Sequence, residues 1–244
     1  MTAVVEATVM QVRQLSPSFV RITFAGCASM TSHGYDQRIK ILLALPGQDR
    51  PVLPLSSDWY GEWCAMPSAV RPIMRTFTIR SQDGDLVDIE FALHGDAGPA
   101  SAWARAARPG SVLGIVGPTP DDDFRAVQYE PGEHDWQLFV GDDTALPAIS
   151  SLLETLPASV DARVFVQIPH QRDIRELPRD VTWTVGGGLA EAVRSADLPA
   201  GTAYAWVAAE AAIVRDVRRY LCRERGWDSK AHCFSGYWKA GETE

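Results

Sequence analysis

The sequence is short of basic residues. Lys and Arg together number 23 against 31 Asp and Glu, which leaves a formal net charge of -8. This balance argues against a nucleic-acid partner, whose phosphates select cationic surfaces. No apolar run is long enough to cross a bilayer, and the N-terminus lacks the basic and apolar segments of a secretion signal. We therefore expect a cytoplasmic protein with no nucleic-acid and no membrane partner.

Cysteine and histidine are also scarce, with four cysteines and five histidines among 244 residues. The cysteines show neither CxxC pairing nor the spacing of metal ligands. We expect free thiols in a reducing compartment and no metal ion held by the protein. Hydrophobic residues make up 46% of the chain, which is enough for the cores of two modest domains.

The first half of the chain is typical of β-structure. Apolar and polar residues alternate, and turn residues separate the alternating segments. Six strands are predicted, over residues 2–14, 18–26, 39–45, 74–80, 86–94 and 111–117. One helix is predicted at 99–107, because Pro99 suits a first turn and Pro109-Gly110 stops the helix. We predict a six-stranded antiparallel barrel within a domain of residues 1–120.

The segment 118–135 is acidic and interrupted by Pro118, Pro120 and Pro131-Gly132, and residues 121–135 within it are predicted to be a linker. In the remaining domain, residues 136–244, strands and helices alternate. Strands are predicted at 136–140, 162–168, 181–185, 203–208 and 231–237, with helices from Leu146 and over 211–224. Such alternation predicts an α/β domain with a parallel sheet and covering helices.

Two segments of the first domain stand out chemically. In Arg75-Thr76-Phe77-Thr78-Ile79-Arg80 a strand carries an aromatic ring, hydroxyls and two guanidinium groups, with Arg75 and Phe77 on one face and Thr78 on the other. In residues 94–103 glycines lead into a helix start, whose N–H groups and dipole favour an anion. Alone, each also suits an ordinary barrel connection. Together they offer the apolar wall, edge donor and phosphate donors that a flavin dinucleotide needs.

In the second domain, Gly141-Asp142-Asp143-Thr144 follows the first predicted strand, at the edge where parallel sheets bind ligands. The GxGxxG fingerprint of dinucleotide-binding loops is absent, and Gly186-Gly187-Gly188 does not match it. The two aspartates equally suit a helix cap. These residues alone leave the ligand of this domain open.

The combination of blocks resembles the siderophore-interacting proteins, FAD-dependent ferric-siderophore reductases of the ferredoxin-reductase-like superfamily. Besides the two flavin segments, the blocks that carry the resemblance are Leu15–Gly26, Gly141–Ile149, Trp206–Glu210 and Gly236–Lys239. The resemblance implies a non-covalent FAD in the barrel, NAD(P)H in the second domain, and electron transfer from nicotinamide through flavin to the Fe(III) of a siderophore. It implies no catalytic acid or base, so the role of the protein is positioning.

The resemblance also implies roles for residues. Arg75 would pair with the FAD pyrophosphate, Phe77 would lie against the flavin where the family more often has Tyr, and Thr78 would bond the flavin edge. Asp143 stands where the family usually has Glu, and Ala209 where it has Gly. Further cofactor-binding residues are implied in both domains: Thr76, His94, Asp96, Gly98, Pro99, Ala100, Ser101, Trp103, Asp142, Thr144, Ala145, Glu210 and Trp238.

In the family, basic residues attract the anionic ferric chelate. Lys40 and Lys239 match two such positions and are implied to bind substrate. A third basic residue often follows the Gly-Pro that ends the barrel, where this chain has Thr119, and Arg125 is a candidate substitute. Without the resemblance, both lysines read as exposed solubilising charge.

The sequence gives only weak evidence on whether the electron donor is NADPH or NADH. His170, Gln171 and Arg172 follow the second strand of the second domain, and Arg215, Arg218 and Arg219 lie on its last helix. These residues favour NADPH over NADH if they meet a 2′-phosphate, and they equally suit a solvated face. A ferredoxin partner stays open. Two other functions also stay open: a general NAD(P)H–flavin oxidoreductase with another acceptor, and a non-catalytic protein that binds ferric siderophore or flavin.

Overall fold

A computed structural model describes residues 2–93, 98–122 and 126–241. Contacts divide the chain into two compact units, Met1–Val127 and Gln128–Glu244. The division falls inside the segment 121–135, whose character as a linker remains a prediction.

The first unit contains an antiparallel sheet. Its strands are β1 (Thr2–Ser16), β2 (Phe19–Ala25), β3 (Arg38–Leu43), β4 (Ile73–Thr78), β5 (Ser81–Asp83), β6 (Leu86–Ala92) and β7 (Val112–Pro118). Their order across the sheet is β4-β3-β7-β1-β2-β6-β5. The antiparallel β domain predicted from the sequence is confirmed, although as a curled seven-stranded sheet with β4 and β5 at its edges rather than six strands. The additional strand, β5, has three residues, which is too short to show an alternation.

Alternate side chains of these strands meet in a hydrophobic core. Strand residues that lie fully inside it include Ile22, Phe24, Ile41, Ile89, Phe91, Leu113 and Ile115. Between β3 and β4 lies a short helix that the sequence did not predict, α1 (Trp59–Ala65). None of its residues is buried, and its seven residues are too few to show a helical period.

The predicted helix at 99–107 is present as α2 (Pro99–Ala106), with Pro99 in its first turn. Its residue Trp103 packs on the core of the sheet, with its ring centroid 6.1 Å from that of Phe24 and 5.9 Å from that of Phe91. The core therefore fixes where this helix begins relative to the strands.

The second unit contains a parallel sheet with helices, as predicted. Its strands are β8 (Trp136–Gly141), β9 (Asp161–Ile168), β10 (Val181–Val185), β11 (Ala203–Glu210) and β12 (Cys233–Trp238), in the order β10-β9-β8-β11-β12. The chain leaves β8 toward β9 on one side and later returns to β11 on the other. The carboxyl end of β8 is thus the point at which the strand order reverses, where ligands of such sheets bind.

Three helices accompany this sheet: α3 (Leu146–Thr155), α4 (Leu189–Ser195) and α5 (Ala211–Arg219). The sequence predicted α3 and α5, and the predicted apolar faces of both helices contribute buried residues. The predicted helix at 211–224 changes character at Tyr220, from where residues Tyr220–Glu224 form a π-helical turn. The sequence did not predict α4, whose seven residues begin after Gly188, at a φ of 85°.

Candidate functional site

The pairing of β3 with β4 brings the first set of predicted site residues together. The register sets Lys40 opposite Thr76 and Ile39 opposite Phe77. Lys40 Nζ donates a hydrogen bond to Thr76 Oγ1 at 2.6 Å. Phe77 lies on the other face, where its ring centroid is 4.6 Å from that of Phe91 in the core. The β3–β4 pair thus has a polar face, which carries the ammonium group of Lys40, and an apolar face, on which Phe77 packs against Phe91.

The two guanidinium groups of the Arg75–Arg80 segment have different surroundings. Arg80 Nε lies 3.4 Å from Glu90 Oε1, and Arg21 approaches the same carboxylate at 2.6 Å. Glu90 is only 2% exposed, so this ion-pair network is part of the structure of the sheet. Arg75 is half-buried, and its Nη1 donates to the carbonyl of Met74 at 2.8 Å. The role of Arg75 at a phosphate remains a prediction.

The start of α2 offers backbone donors to an anion. Gly98 is its N-cap, no side chain of the described residues caps this end, and Pro99 occupies the first turn. Among the described residues, a Cβ atom built at Gly98 would meet no other atom within 4 Å. The arrangement fits the pyrophosphate of FAD. Two other residues predicted here, His94 and Asp96, lie outside the described residues.

In the second unit, Asp142 links three strand ends. Its carboxylate accepts hydrogen bonds from the N–H of Thr144 at 3.0 Å, the N–H of Glu210 at 2.7 Å and Trp238 Nε1 at 2.8 Å. Thr144 follows β8, Glu210 is the last residue of β11, and Trp238 is the last residue of β12. Asp142 itself is 1% exposed. Four residues predicted for the nucleotide site therefore lie together, because the carboxylate of Asp142 binds the other three, which are Thr144, Glu210 and Trp238.

Glu210 in turn caps α5. Its carboxylate accepts from the N–H groups of Ala212 at 2.6 Å, Ile213 at 3.3 Å and Ala240 at 3.2 Å. Desolvation opposes ionisation of Glu210, but these backbone donors together lower its pKa. Ala145 and Ala209 are fully buried beside the same strand ends. Direct contact of these residues with a nucleotide remains a prediction. The structure describes a hydrogen-bonded network at the carboxyl ends of β8, β11 and β12.

Asp143 is a buried carboxyl at this edge, with 6% of its surface exposed. Its burial, and then the charge of Asp142, raises its pKa from 3.8 to about 7. From the sequence, Asp143 is a candidate helix cap or ligand at the strand end and a departure from the family pattern. Its burial depends on how β8 and α3 pack, which no local signal shows.

A groove of about 550 Å³ opens near the carboxyl ends of β9 and β10 in this unit. It is lined by Gln167, Gly187, Gly188, Leu189, Ala190, Glu191, Arg194, Ile213, Asp216 and Arg219. The sequence had pointed to Arg219 and missed Arg194. Both arginines are ion-paired: Arg194 contacts Glu224 and lies 3.9 Å from Glu191, and Arg219 lies 3.2 Å from Asp216. The charges lining this groove are thus balanced by one another.

Among the described residues, no three or more His, Cys, Asp or Glu side chains are grouped so as to hold a metal ion. The four cysteines, all within the described ranges, form no disulfide. None of the described helices is both long and apolar enough to cross a membrane.

A curled antiparallel sheet with an Arg-x-aromatic-Thr strand and a helix that starts at Gly98-Pro99, followed by a parallel sheet with helices, defines a two-domain FAD-binding protein. Residues 8–122 match the model of the siderophore-interacting FAD-binding domain, and residues 134–241 match that of the siderophore-interacting protein. The chain belongs to the siderophore-interacting protein family, as the sequence predicted.

Characterised relatives have informative names. Ferric vibriobactin reductase ViuB of Vibrio cholerae is 34% identical over 191 residues, which are 71% of this chain and 67% of that protein. The NADPH-dependent ferric-chelate reductase of Escherichia coli is 29% identical over 247 residues, 96% of this chain and 92% of that protein. The crystal structure of the siderophore-interacting protein SipS from Aeromonas hydrophila is 34% identical, with a TM-score of 0.79 over 100% of this chain and 93% of that one.

Proposed function

We propose that this protein is an FAD-dependent reductase that takes electrons from NADPH and reduces the Fe(III) of a ferric siderophore, so that iron leaves as Fe(II). The observation that carries the proposal is the register of β3 and β4, which sets Lys40 beside the flavin motif Arg75–Thr78. The relatives named as ferric reductases in Vibrio cholerae and Escherichia coli support it.

The protein's own contribution to this reaction is binding and orientation. Arg75 and the N–H groups at the start of α2 hold the pyrophosphate of FAD, Phe77 supports the ring system, and Thr78 bonds its edge. Bound FAD supplies the chemistry that converts a hydride donor into a source of single electrons. No side chain has to donate or remove a proton at the iron.

The substrate side follows from the chemistry of iron. Siderophores hold Fe(III), a hard cation, through oxygen donors, and many of these complexes are anionic. Fe(II) carries less charge and binds such ligands more weakly, so reduction releases it. Lys40 on β3, together with Lys239 after β12, supplies positive charge for an anionic complex. Both assignments are part of the proposal.

The donor is NADPH in this proposal, bound at the carboxyl edge of the parallel sheet with its adenosine end in the groove that contains Arg194 and Arg219. Both arginines are already paired with carboxylates, so a 2′-phosphate must compete for them. We therefore expect NADPH to be preferred over NADH by only about tenfold in KM.

An anaerobic titration of the purified yellow protein tests the proposal. Flavin absorbance is followed by stopped flow with NADPH and separately with NADH, and a ferric siderophore with a ferrous-specific chelator is then added. Bleaching by NADPH, followed by reoxidation and formation of the coloured ferrous complex, is the expected result. Bleaching without iron reduction would favour a general flavin oxidoreductase. No bleaching with either nucleotide would leave a binding protein or an enzyme driven by ferredoxin.

A further inference from the structure

Arg38 lies on the same strand face as Lys40. The two residues are separated by one position on β3, so their side chains leave the strand in the same direction, about 7 Å apart along it. The register with β4 sets Lys40 opposite Thr76 and Arg38 directly opposite Thr78. Side chains that face each other across an antiparallel pair lie about 5 Å apart at Cβ. Of the two cations, Arg38 is therefore the one nearest in register to the residue that the proposed function sets at the flavin edge.

The surroundings of Arg38 differ from those of Arg21 and Arg80. Arg21 and Arg80 share the buried carboxylate of Glu90. The Nε atom of Arg38 is buried and has no hydrogen-bond partner. Within the described part of the chain, its guanidinium group also forms no ion pair. The side chain is half-buried, so its stem is held by the protein while its charge is not neutralised.

Such a guanidinium group is suited to an external anion. Burying part of a charged group without a partner costs free energy, which an anionic ligand would recover. The planar fork of an arginine donates two parallel hydrogen bonds, and this geometry matches adjacent oxygens on a carboxylate or a catecholate better than the point charge of a lysine does.

We infer that Arg38 is a substrate-binding residue that selects anionic ferric chelates, with catecholate or carboxylate oxygens, and holds them on the face of β3 and β4 beside Thr78. This inference rests on the proposed function for the identity of the ligand. It adds to that proposal a residue that distinguishes anionic from neutral iron complexes, whereas Lys40 contributes charge at the next position of the same face.

Binding of redox-inert gallium(III) complexes tests the inference separately from electron transfer. The FAD-loaded protein is titrated with an anionic gallium(III) tris-catecholate and with a neutral gallium(III) tris-hydroxamate, and tryptophan fluorescence gives Kd. We expect Arg38→Met to weaken binding of the anionic complex by about tenfold and to leave the neutral one within about twofold, because only the former offers a charge-assisted bond. Arg38→Lys should restore part of the affinity. Arg13→Met, which removes the same charge from an exposed site on β1, is the matched control.

The outcomes separate the two proposals. Equal loss for both complexes, or a lower flavin content in Arg38→Met, would mean a structural role and would overturn the inference. Unchanged affinity of Arg38→Met for the anionic complex would overturn it as well, even if the wild-type protein reduces ferric siderophores. If the wild-type protein binds the anionic gallium complex through Arg38 but reduces no ferric complex, the proposed function fails and Arg38 keeps its role in binding.

Discussion

Asp143 makes the stability of the second unit depend on pH. Its pKa in the folded protein, about 7, lies above the value of 3.8 for an unperturbed aspartate. The folded state therefore binds a proton that the unfolded state has lost between these values. The stabilisation is fully present below about pH 4, declines as the pH rises, and is lost above about pH 7. Ionisation of Asp143 at and above neutral pH consequently lowers the free energy of unfolding.

Asp143→Asn should remove this dependence. Because each pKa unit corresponds to about 1.4 kcal/mol, we expect the variant to be about 2–4 kcal/mol more stable than the wild type at pH 8. The advantage should vanish near pH 4. Urea unfolding at several pH values measures both. A difference in stability that does not change with pH would show that Asp143 does not titrate in this range.

Arg75 carries the prediction for the cofactor. Arg75→Met removes the charged donor that we propose for the pyrophosphate, and we expect the Kd for FAD to rise by about 10- to 100-fold. Arg75→Lys should recover only part of the affinity, because it lacks the fork of donors. Fluorescence titration of FAD into the apoprotein provides the measurement, with Arg13→Met as control. If Arg75→Met, Arg75→Lys and Arg13→Met all bind FAD with equal affinity, Arg75 does not contribute to the FAD site.

At the residue scale, the sequence shows which functional groups lie close together along one strand, but not which residues face them from the neighbouring strand. Arg75, Phe77 and Thr78 could be singled out because an aromatic ring, a hydroxyl and a guanidinium group stand close together on one strand. Arg38 could not, since its significance comes from facing Thr78 across the β3–β4 pair and from a buried Nε that has no hydrogen-bond partner among the described residues. Both facts depend on register, which the sequence alone leaves open.

At the scale of elements, Asp142 holds the carboxyl ends of three parallel strands together. Asp142→Ala would leave the N–H of Thr144, the N–H of Glu210 and the indole of Trp238 without their acceptor. We expect it to lower the free energy of unfolding by about 3–5 kcal/mol. Thr144→Val, which removes only the hydroxyl contact with Asp142, should cost about 1 kcal/mol. Urea unfolding of both variants, followed by circular dichroism, compares them.

A loss in Asp142→Ala no larger than that in Thr144→Val would contradict this account of the strand ends. The NMR resonance of the Trp238 indole N–H gives a second readout, because this indole would lose its hydrogen bond in Asp142→Ala alone. An unchanged local environment of Trp238 would show that β12 is held by other contacts.

The elements that sequence reasoning found and missed differ in how they are stabilised. Long strands and α3 were predictable because many residues repeat the same burial pattern. The short elements β5, α1 and α4 were not. Strand β5 relies on pairing with β6, α1 buries no side chain, and α4 buries only Leu189 and Val193 after a glycine in the left-handed region. Such elements depend on the surrounding fold more than on their own pattern.

At the scale of the whole molecule, charge works against the proposed substrate. The protein has a formal net charge of -8, so an anionic ferric chelate approaches a surface that repels it on average. Capture must depend on local cations, which act at short range, whereas the overall repulsion acts over longer distances. Arg38 and Lys40 on the polar face of β3 are the local cations of the first unit that we assign to this role.

These opposing effects predict how the reaction depends on salt. Raising NaCl shortens the screening length from about 20 Å to below about 5 Å, which weakens local attraction and overall repulsion alike. In the wild type the local attraction is the larger effect, so kcat/KM for an anionic chelate should fall by about tenfold. In the double variant Arg38→Met/Lys40→Met only the repulsion remains, so kcat/KM should be lower at low salt and rise as salt is added. A neutral hydroxamate complex should show little dependence in either protein. If the double variant keeps the wild-type slope, the cations that capture the chelate lie elsewhere on the molecule.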